Sequence, residues 1–129
     1  MTPLKIRAST IARLAVAFAV VLAASPAITV RAAGDAAAGR ALALKNCVKC
    51  HGSDGKGDGP EVAARHISPP PGDWTDKEDM SEHPDVFLRN IIEQGGAALD
   101  KSPQMPAFGK KLTPAQVNDL IAYIRTFSK

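Results

Sequence analysis

The chain has 129 residues, with 16 lysines and arginines, 13 acidic residues and a formal net charge of +3. Four of the 16 basic residues and none of the acids lie in the first 33 positions, so residues 34–129 have twelve basic and thirteen acidic residues and a net charge of −1. Because residues 34–129 have almost no net charge, their charge gives no reason to expect nucleic-acid binding. The remaining length of about 96 residues suits one domain with a modest core.

The first 33 residues have the pattern of a secretory signal peptide. Three basic residues precede an apolar run at residues 14–24 (LAVAFAVVLAA), and small residues with candidate cleavage sites near Ala27 and Ala33 follow. The run is short for a bilayer span, which needs about 20 apolar residues. We expect cleavage, a periplasmic location and no membrane span in the mature protein; a retained N-terminal anchor is the alternative.

A first helix is predicted immediately after this segment. Asp35 is placed as an N-cap, and the run AAAGRALALKN that follows consists mainly of good helix formers. The alanines and Gly39 leave room for another helix to cross closely. The helix ends at Cys47, and so it presents the next motif.

The pattern Cys47-Val48-Lys49-Cys50-His51 contains both cysteines of the chain. Positions 47, 50 and 51 share one face of a helical turn, so both thiols can reach the vinyl groups of one porphyrin while the imidazole reaches its iron. A redox dithiol needs a βαβ setting, and no strand-like segment is near. A zinc site lacks further ligands at the required spacing, and a disulfide would close a very small loop. The motif predicts one covalently attached c-type haem.

The middle of the chain reads as loops around short helices. The run GSDGKGDGP must be a loop, residues 61–66 suit a helical turn, and the prolines at 69–71 stop regular structure. Six acids between residues 73 and 85 are interpreted as a solvated face. A helix is predicted over residues 85–94, with Pro84 at its start and Gly95-Gly96 at its end.

The last helix has the clearest signature. Thr113, Pro114 and Gln116 form a capping box with proline at the first helical position. An apolar stripe then repeats at helical spacing: Val117, Leu120, Ile121, Ile124 and Phe127. Strand-like alternation is absent from the sequence, so the class is all-α. Loops this long argue against a compact domain unless they wrap a cofactor.

Residues 34–129 resemble class I c-type cytochromes, in particular short bacterial cytochromes similar to the haem domains of cbb3-type oxidase subunits. The resemblance depends on Gly39 and on four segments: CVKCHG, GSDGKGDGP, QMPAFG and LTPAQVNDLIAYIR. It implies the cytochrome c fold, in which the first and last helices cross beside the haem. It also implies contact between Gly39 and Tyr123. One departure is Ala43, where an aromatic residue is frequent.

The resemblance further implies thioether bonds from Cys47 and Cys50 and iron ligation by His51 and Met105. A thioether opposite an imidazole fills both axial positions and raises the reduction potential relative to two imidazoles. Met80 is the rival sulfur ligand, but its sequence neighbours are polar. His66 or His83 as the sixth ligand is a further alternative; otherwise both histidines are interpreted as surface residues.

Two further residues are expected around the haem. The family pattern suggests that the second ring nitrogen of His51 donates a hydrogen bond to the carbonyl of Pro60. Trp74 is expected either to cover the haem and donate to a propionate, or to anchor the core with its N–H on a backbone carbonyl.

A haem with both axial sites filled passes single electrons. We therefore predict a soluble, monomeric, periplasmic electron carrier rather than an enzyme, with transient protein partners as donor and acceptor. Two alternatives stay open. One is a haem subunit of a membrane respiratory or dehydrogenase complex, and the other is a haem enzyme or sensor whose methionine ligand can be displaced.

Overall fold

The computed structural model describes residues 33–129, so nearly all of the predicted signal peptide lies outside the described residues. This part of the chain is helical and contains no strand, which confirms the all-α class. Its elements in chain order are α1 (Ala36–Asn46), α2 (Val48–His51), α3 (Pro60–Ala64), α4 (Lys77–Glu82), α5 (Asp85–Gln94), a 3₁₀ helix (Gly96–Leu99) and α6 (Pro114–Ile124).

The two long terminal helices begin at side-chain caps that the sequence predicts. The Asp35 carboxylate accepts hydrogen bonds from the backbone N–H groups of Ala37 at 2.8 Å and Ala38 at 3.3 Å. At α6 the Thr113 hydroxyl accepts from Gln116 N at 3.2 Å, and Thr113 N donates to the Gln116 side chain at 2.9 Å. Each cap satisfies donors that have no partner inside the helix, and this sets where the helix starts.

Helices α1 and α6 cross in direct contact at Gly39. A Cβ atom at this position would overlap the carbonyl of Asp119 and would lie 2.9 Å from Cβ of Tyr123. The contact predicted between Gly39 and Tyr123 is therefore confirmed. Ala43, one turn further along α1, is completely buried. The small residues of α1 allow the two backbones to approach without side chains between them.

The core is built on α6. Val117, Leu120, Ile121 and Ile124 are all less than 6% exposed, and Phe127 is partly buried beyond the end of the helix. Leu88 and Ile92 from α5 join this cluster. The predicted stripe on the last helix and the predicted helix over residues 85–94 are both confirmed.

The acidic segment presents its acids to solvent, as interpreted, but it also contains a helix that the sequence analysis did not predict. Residues 77–82 form α4, whose N-cap Asp76 accepts from Glu78 N at 3.0 Å. The acids of this helix are exposed, but Met80 is only 4% exposed and belongs to the core. The inference that polar sequence neighbours leave Met80 without an apolar environment was wrong, because a helical turn places those neighbours on the opposite side.

None of the helices within residues 33–129 is long and apolar enough to cross a lipid bilayer.

The helix crossing gives a first prediction. Gly39→Ala is expected to lower the free energy of unfolding by about 1–3 kcal/mol, because the added methyl group overlaps backbone of α6. The same change in an exposed helix would instead stabilise by about 1 kcal/mol. Guanidinium titration of the haem-loaded protein measures the effect. Gly72→Ala is the control, since its Cβ would meet only a side-chain oxygen at 3.8 Å; an equal loss in both variants would contradict the explanation.

Candidate functional site

An apolar cavity of about 280 Å³ lies between the Cys-x-x-Cys-His turn, α4, α5, α6 and the loops. Its apolar walls include core residues from several parts of the fold: Ile67, Met80, Leu88, Ile92, Leu120 and Ile124. Cys47, Cys50 and His51 line the same cavity. The structure thus brings the only two thiols of the chain and one imidazole to the wall of a space suited to a flat apolar group.

The turn itself explains this placement. Cys47 caps the end of α1, and its carbonyl accepts from Cys50 N at 3.1 Å and His51 N at 2.9 Å. These bonds make a single helical turn, so residues three and four apart point to one side. The thiols are not joined in a disulfide. Burial, with a smaller contribution from Cys50, raises the pKa of the Cys47 thiol to about 11, so it is protonated at neutral pH.

The His51 imidazole is buried beside the cavity. Burial lowers the pKa of His51 to about 4, because a charged ring loses its hydration there, so the ring is neutral at pH 7 and has a lone pair available for a metal. Its Nδ1 has no hydrogen-bond partner among residues 33–129. The hydrogen bond expected to the Pro60 carbonyl is therefore not formed, and Pro60, the first residue of α3, is not among the cavity-lining residues.

Trp74 lies against the His51 ring and lines the cavity. The two rings are stacked, with centroids 4.6 Å apart and planes inclined by 21°. The tryptophan is 8% exposed. Within the described residues its indole N–H makes no hydrogen bond to a backbone carbonyl. Trp74 also belongs to the core cluster, so its burial fits both expectations, and its contact with the haem stays a prediction.

The Met105 side chain reaches the cavity from a loop that backbone hydrogen bonds hold against the end of α5. Met105 O accepts from Gly96 N at 3.0 Å, and Met105 N donates to Ser102 O at 3.1 Å. Further along, Phe108 N donates to Ile92 O at 2.8 Å and Gly109 N to Glu93 O at 3.0 Å. Met105 thus lines the same cavity as His51, on a loop whose path is fixed.

Met80, the rival sulfur ligand, and His83, an alternative sixth ligand otherwise interpreted as a surface residue, also line the cavity. His83 Nδ1 lies 2.9 Å from the carbonyl of Asp79, and its ring packs against Phe87 with centroids 4.5 Å apart. His66, in contrast, is exposed as expected. The sequence contains one signal for this placement, which is Asp76 as a helix N-cap. A helix that begins at residue 77 places positions 80 and 83 on one face.

Arg125, at the end of α6, holds this part of the cavity wall. Its guanidinium donates to the carbonyls of Met80 at 2.9 Å and His83 at 2.5 Å, and its Nε donates to the Asp85 carboxylate at 2.9 Å. The Arg125 side chain therefore supplies hydrogen-bond donors to the carbonyls of Met80 and His83, which have no partner within the helix.

The fold and this cavity define a small helical protein that binds a haem through two cysteines. The model of the cytochrome c family matches residues 36–128. The chain belongs to the cytochrome c family, and it is a class I c-type cytochrome with covalently bound haem c, as the sequence predicts.

Two relatives and one solved structure add detail. The FixP subunits of cbb3-type cytochrome c oxidase from Bradyrhizobium sp. (strain ORS 278) and Bradyrhizobium diazoefficiens are 33% and 32% identical over 92 residues. These 92 residues are 71% of this chain, and the match spans only 27% of the length of either relative. The KustC0563 c-type cytochrome superposes with a TM-score of 0.58 at 27% identity, covering 70% of this chain and 98% of that one.

The residues present fit the haem group. The thiols and the neutral imidazole line one cavity, and its other walls are largely apolar. Cys47 and Cys50 would hold the porphyrin by thioether bonds, formed as each S–H adds across a vinyl group. The bound haem supplies one-electron redox chemistry, which is the function that membership of the family supports.

The contacts of Arg125 give a second prediction. Arg125→Met is expected to cost about 1–3 kcal/mol of unfolding free energy, because it leaves the carbonyls of Met80 and His83 without their donor. Asp85→Asn is the matched control. It removes only the ion pair to a carboxylate that is 66% exposed and is expected to cost less than about 1 kcal/mol. Equal losses in denaturant titrations would show that the ion pair, rather than the carbonyl contacts, provides the stability.

Proposed function

We propose that the chain is an exported monohaem electron carrier whose iron is bound by His51 and Met105. The observation that carries the proposal is that a neutral, buried imidazole and the thioether of Met105 line one cavity. An imidazole and a thioether together leave no open position for oxygen or peroxide, so the group they hold exchanges single electrons. The surrounding apolar side chains exclude water, which limits solvent reorganisation when the charge changes.

The choice of Met105 over Met80 is supported by how each residue is held. Met105 lies on a loop fixed by its own backbone N–H and C=O, so the methionine is ordered before a ligand is bound. Met80 is packed in the core cluster on α4, where a methionine acts as an ordinary filler. The segment QMPAFG, on which the resemblance depends, also favours Met105.

Paired substitutions test this choice. Met105→Ala is expected to abolish the ferric sulfur-to-iron absorption band near the red end of the spectrum and to open the iron to added imidazole. Met80→Ala is expected to keep the band while costing about 2–5 kcal/mol of stability as a core truncation. Absorption spectroscopy of the purified ferric proteins measures both effects. Loss of the band in Met80→Ala and its retention in Met105→Ala would reverse the assignment.

A second candidate function is that of a haem subunit in a membrane complex. The relatives that match are named as subunits of a cbb3-type cytochrome c oxidase, and this chain spans 27% of their length. In that case the haem would pass electrons within a stable assembly rather than between transient partners. The two functions differ in what happens to the first 33 residues.

The expected outcome for an exported carrier is a periplasmic protein that lacks residues 1–33. Intact mass of the haem-loaded protein from a host with haem-attachment machinery measures this directly, together with its partition between periplasm and membrane. Val20→Arg is the control, because a charge within the apolar run should block export. A full-length mass in the membrane fraction would favour the second candidate.

A further inference from the structure

The three histidines of the chain lie in different surroundings, and His83 is the one that the proposed function does not use although it lines the cavity. His51 lines the cavity as the proposed iron ligand, and His66 is exposed and is not among the lining residues. The His83 side chain keeps 21% of its surface exposed. His83 can therefore exchange protons with water while its ring lies beside the space that holds the haem.

The contacts of His83 decide which of its ring nitrogens can bind a further proton. Nδ1 lies 2.9 Å from the carbonyl oxygen of Asp79. A carbonyl can only accept a hydrogen bond, so Nδ1 carries the proton of the neutral ring and Nε2 keeps a lone pair. Uptake of a proton from water therefore takes place at Nε2 and makes the ring a cation.

The His83 ring is held on the cavity wall by contacts that do not involve Nε2. It packs against the ring of Phe87, with centroids 4.5 Å apart and planes inclined by 42°. The backbone carbonyl of His83 accepts from the Arg125 guanidinium at 2.5 Å, which ties the end of α4 to the end of α6. These contacts are the same for a neutral and a cationic ring, so protonation changes the charge at this place without requiring the ring to move.

Four charged side chains lie around His83. The Asp79 carboxylate of α4 is 3.6 Å from Nδ1, and Asp85 at the start of α5 binds the Arg125 guanidinium of α6. Lys101 lines the same cavity from the loop before Met105. Carboxylates, guanidinium groups and lysine ammonium groups ordinarily keep their charges between about pH 5 and 8, whereas an imidazole changes its charge in this range. The two carboxylates of the haem are the other groups of the loaded cavity that can titrate.

We propose that His83 couples proton uptake to electron transfer, binding a proton at Nε2 when the haem is reduced and releasing it when the haem is oxidised. The inference rests on the proposed function, in which His51 and Met105 bind the iron and His83 does not. Ferric haem has one more positive charge than ferrous haem, and this charge repels a cationic imidazole across an apolar cavity. The electron comes from the protein donor and the proton from water, so the loaded site gains both together.

The coupling has to act in both directions. If reduction strengthens proton binding at His83, a proton on His83 must favour reduction by the same factor. We expect the proton affinity of His83 to be about tenfold higher in the ferrous than in the ferric protein, because unit charges within one cavity interact through a medium less polar than water. The reduction potential then falls by 59 mV in total from the acidic to the alkaline limit, since that is the value of a factor of ten for one electron.

Redox titrations of the haem-loaded protein between about pH 5 and 8 measure this fall. His83→Gln removes the titrating ring, so its potential should stay near the alkaline value of the unaltered protein at every pH. His66→Asn is the matched control, because it removes an exposed histidine that does not line the cavity. His66 has φ of 49°, a backbone conformation that asparagine tolerates, and this variant should keep the full fall in potential.

The outcomes separate this proposal from the ligation on which it rests. An undiminished fall in His83→Gln would overturn the proposal and assign the proton to the haem carboxylates, and loss of the fall in His66→Asn would overturn it as well. A potential of the unaltered protein that does not change with pH, together with the ferric sulfur-to-iron band, would overturn the proton coupling and leave the ligation intact. Absence of that band would instead contradict the ligation, and the proposal with it.

NMR titration of the unaltered protein decides the question even where His83→Gln yields no folded holoprotein. The ring proton on Cε1 of each histidine that is not bound to iron shifts as the ring gains a proton. We expect the midpoint for His83 to lie one pH unit higher in the ferrous than in the ferric protein, which is the same factor of about ten, and the midpoint for His66 to be equal in both. Equal midpoints for His83 in the two oxidation states would overturn the proposal.

Discussion

The close crossing of α1 and α6 is the constraint on which the rest of the structure depends. α1 ends at Asn46 and Cys47 caps it, so the angle at which α1 passes α6 decides where both thiols and His51 lie. α6 provides the apolar wall of the same cavity through Leu120 and Ile124. Because backbone meets backbone at Gly39, no flexible side chain separates the two elements. The attachment site and the cavity wall are thereby held as one unit.

The two ends of α6 are fixed in different ways. At its beginning the capping box fixes the first turn, and at its end Arg125 binds the carbonyls that close α4. Through Arg125 the helix thus holds the backbone of Met80 and His83 in the cavity wall. Because the bonds are to carbonyls, they are independent of which side chains the acidic segment presents to solvent.

Much of the fold could be predicted because its signals are local. The side chains of Asp35 and Thr113 start their helices by accepting from N–H groups two or three residues further along the chain. The Cys-x-x-Cys-His turn is complete within five positions. α4 was missed because a six-residue helix with one apolar residue, Met80, shows no periodicity. The stacking of Trp74 on His51 could not be predicted either, since it arises where a glycine loop and a distant segment fold together. Ligation by Met105 stays a prediction, supported by where its loop lies.

Main-chain hydrogen bonds hold Met105 and the segment after it: Gly96 and Ser102 bind Met105, and Ile92 and Glu93 bind the residues that follow. The side chains of Ser102 and Gln104 add two bonds earlier in the loop. Main-chain bonds are available to almost any residue type except proline at a donor position. The outward-facing positions of this loop are therefore open to sequence drift. Relatives can acquire new charges there and recognise new proteins while the sulfur keeps its place beside the cavity.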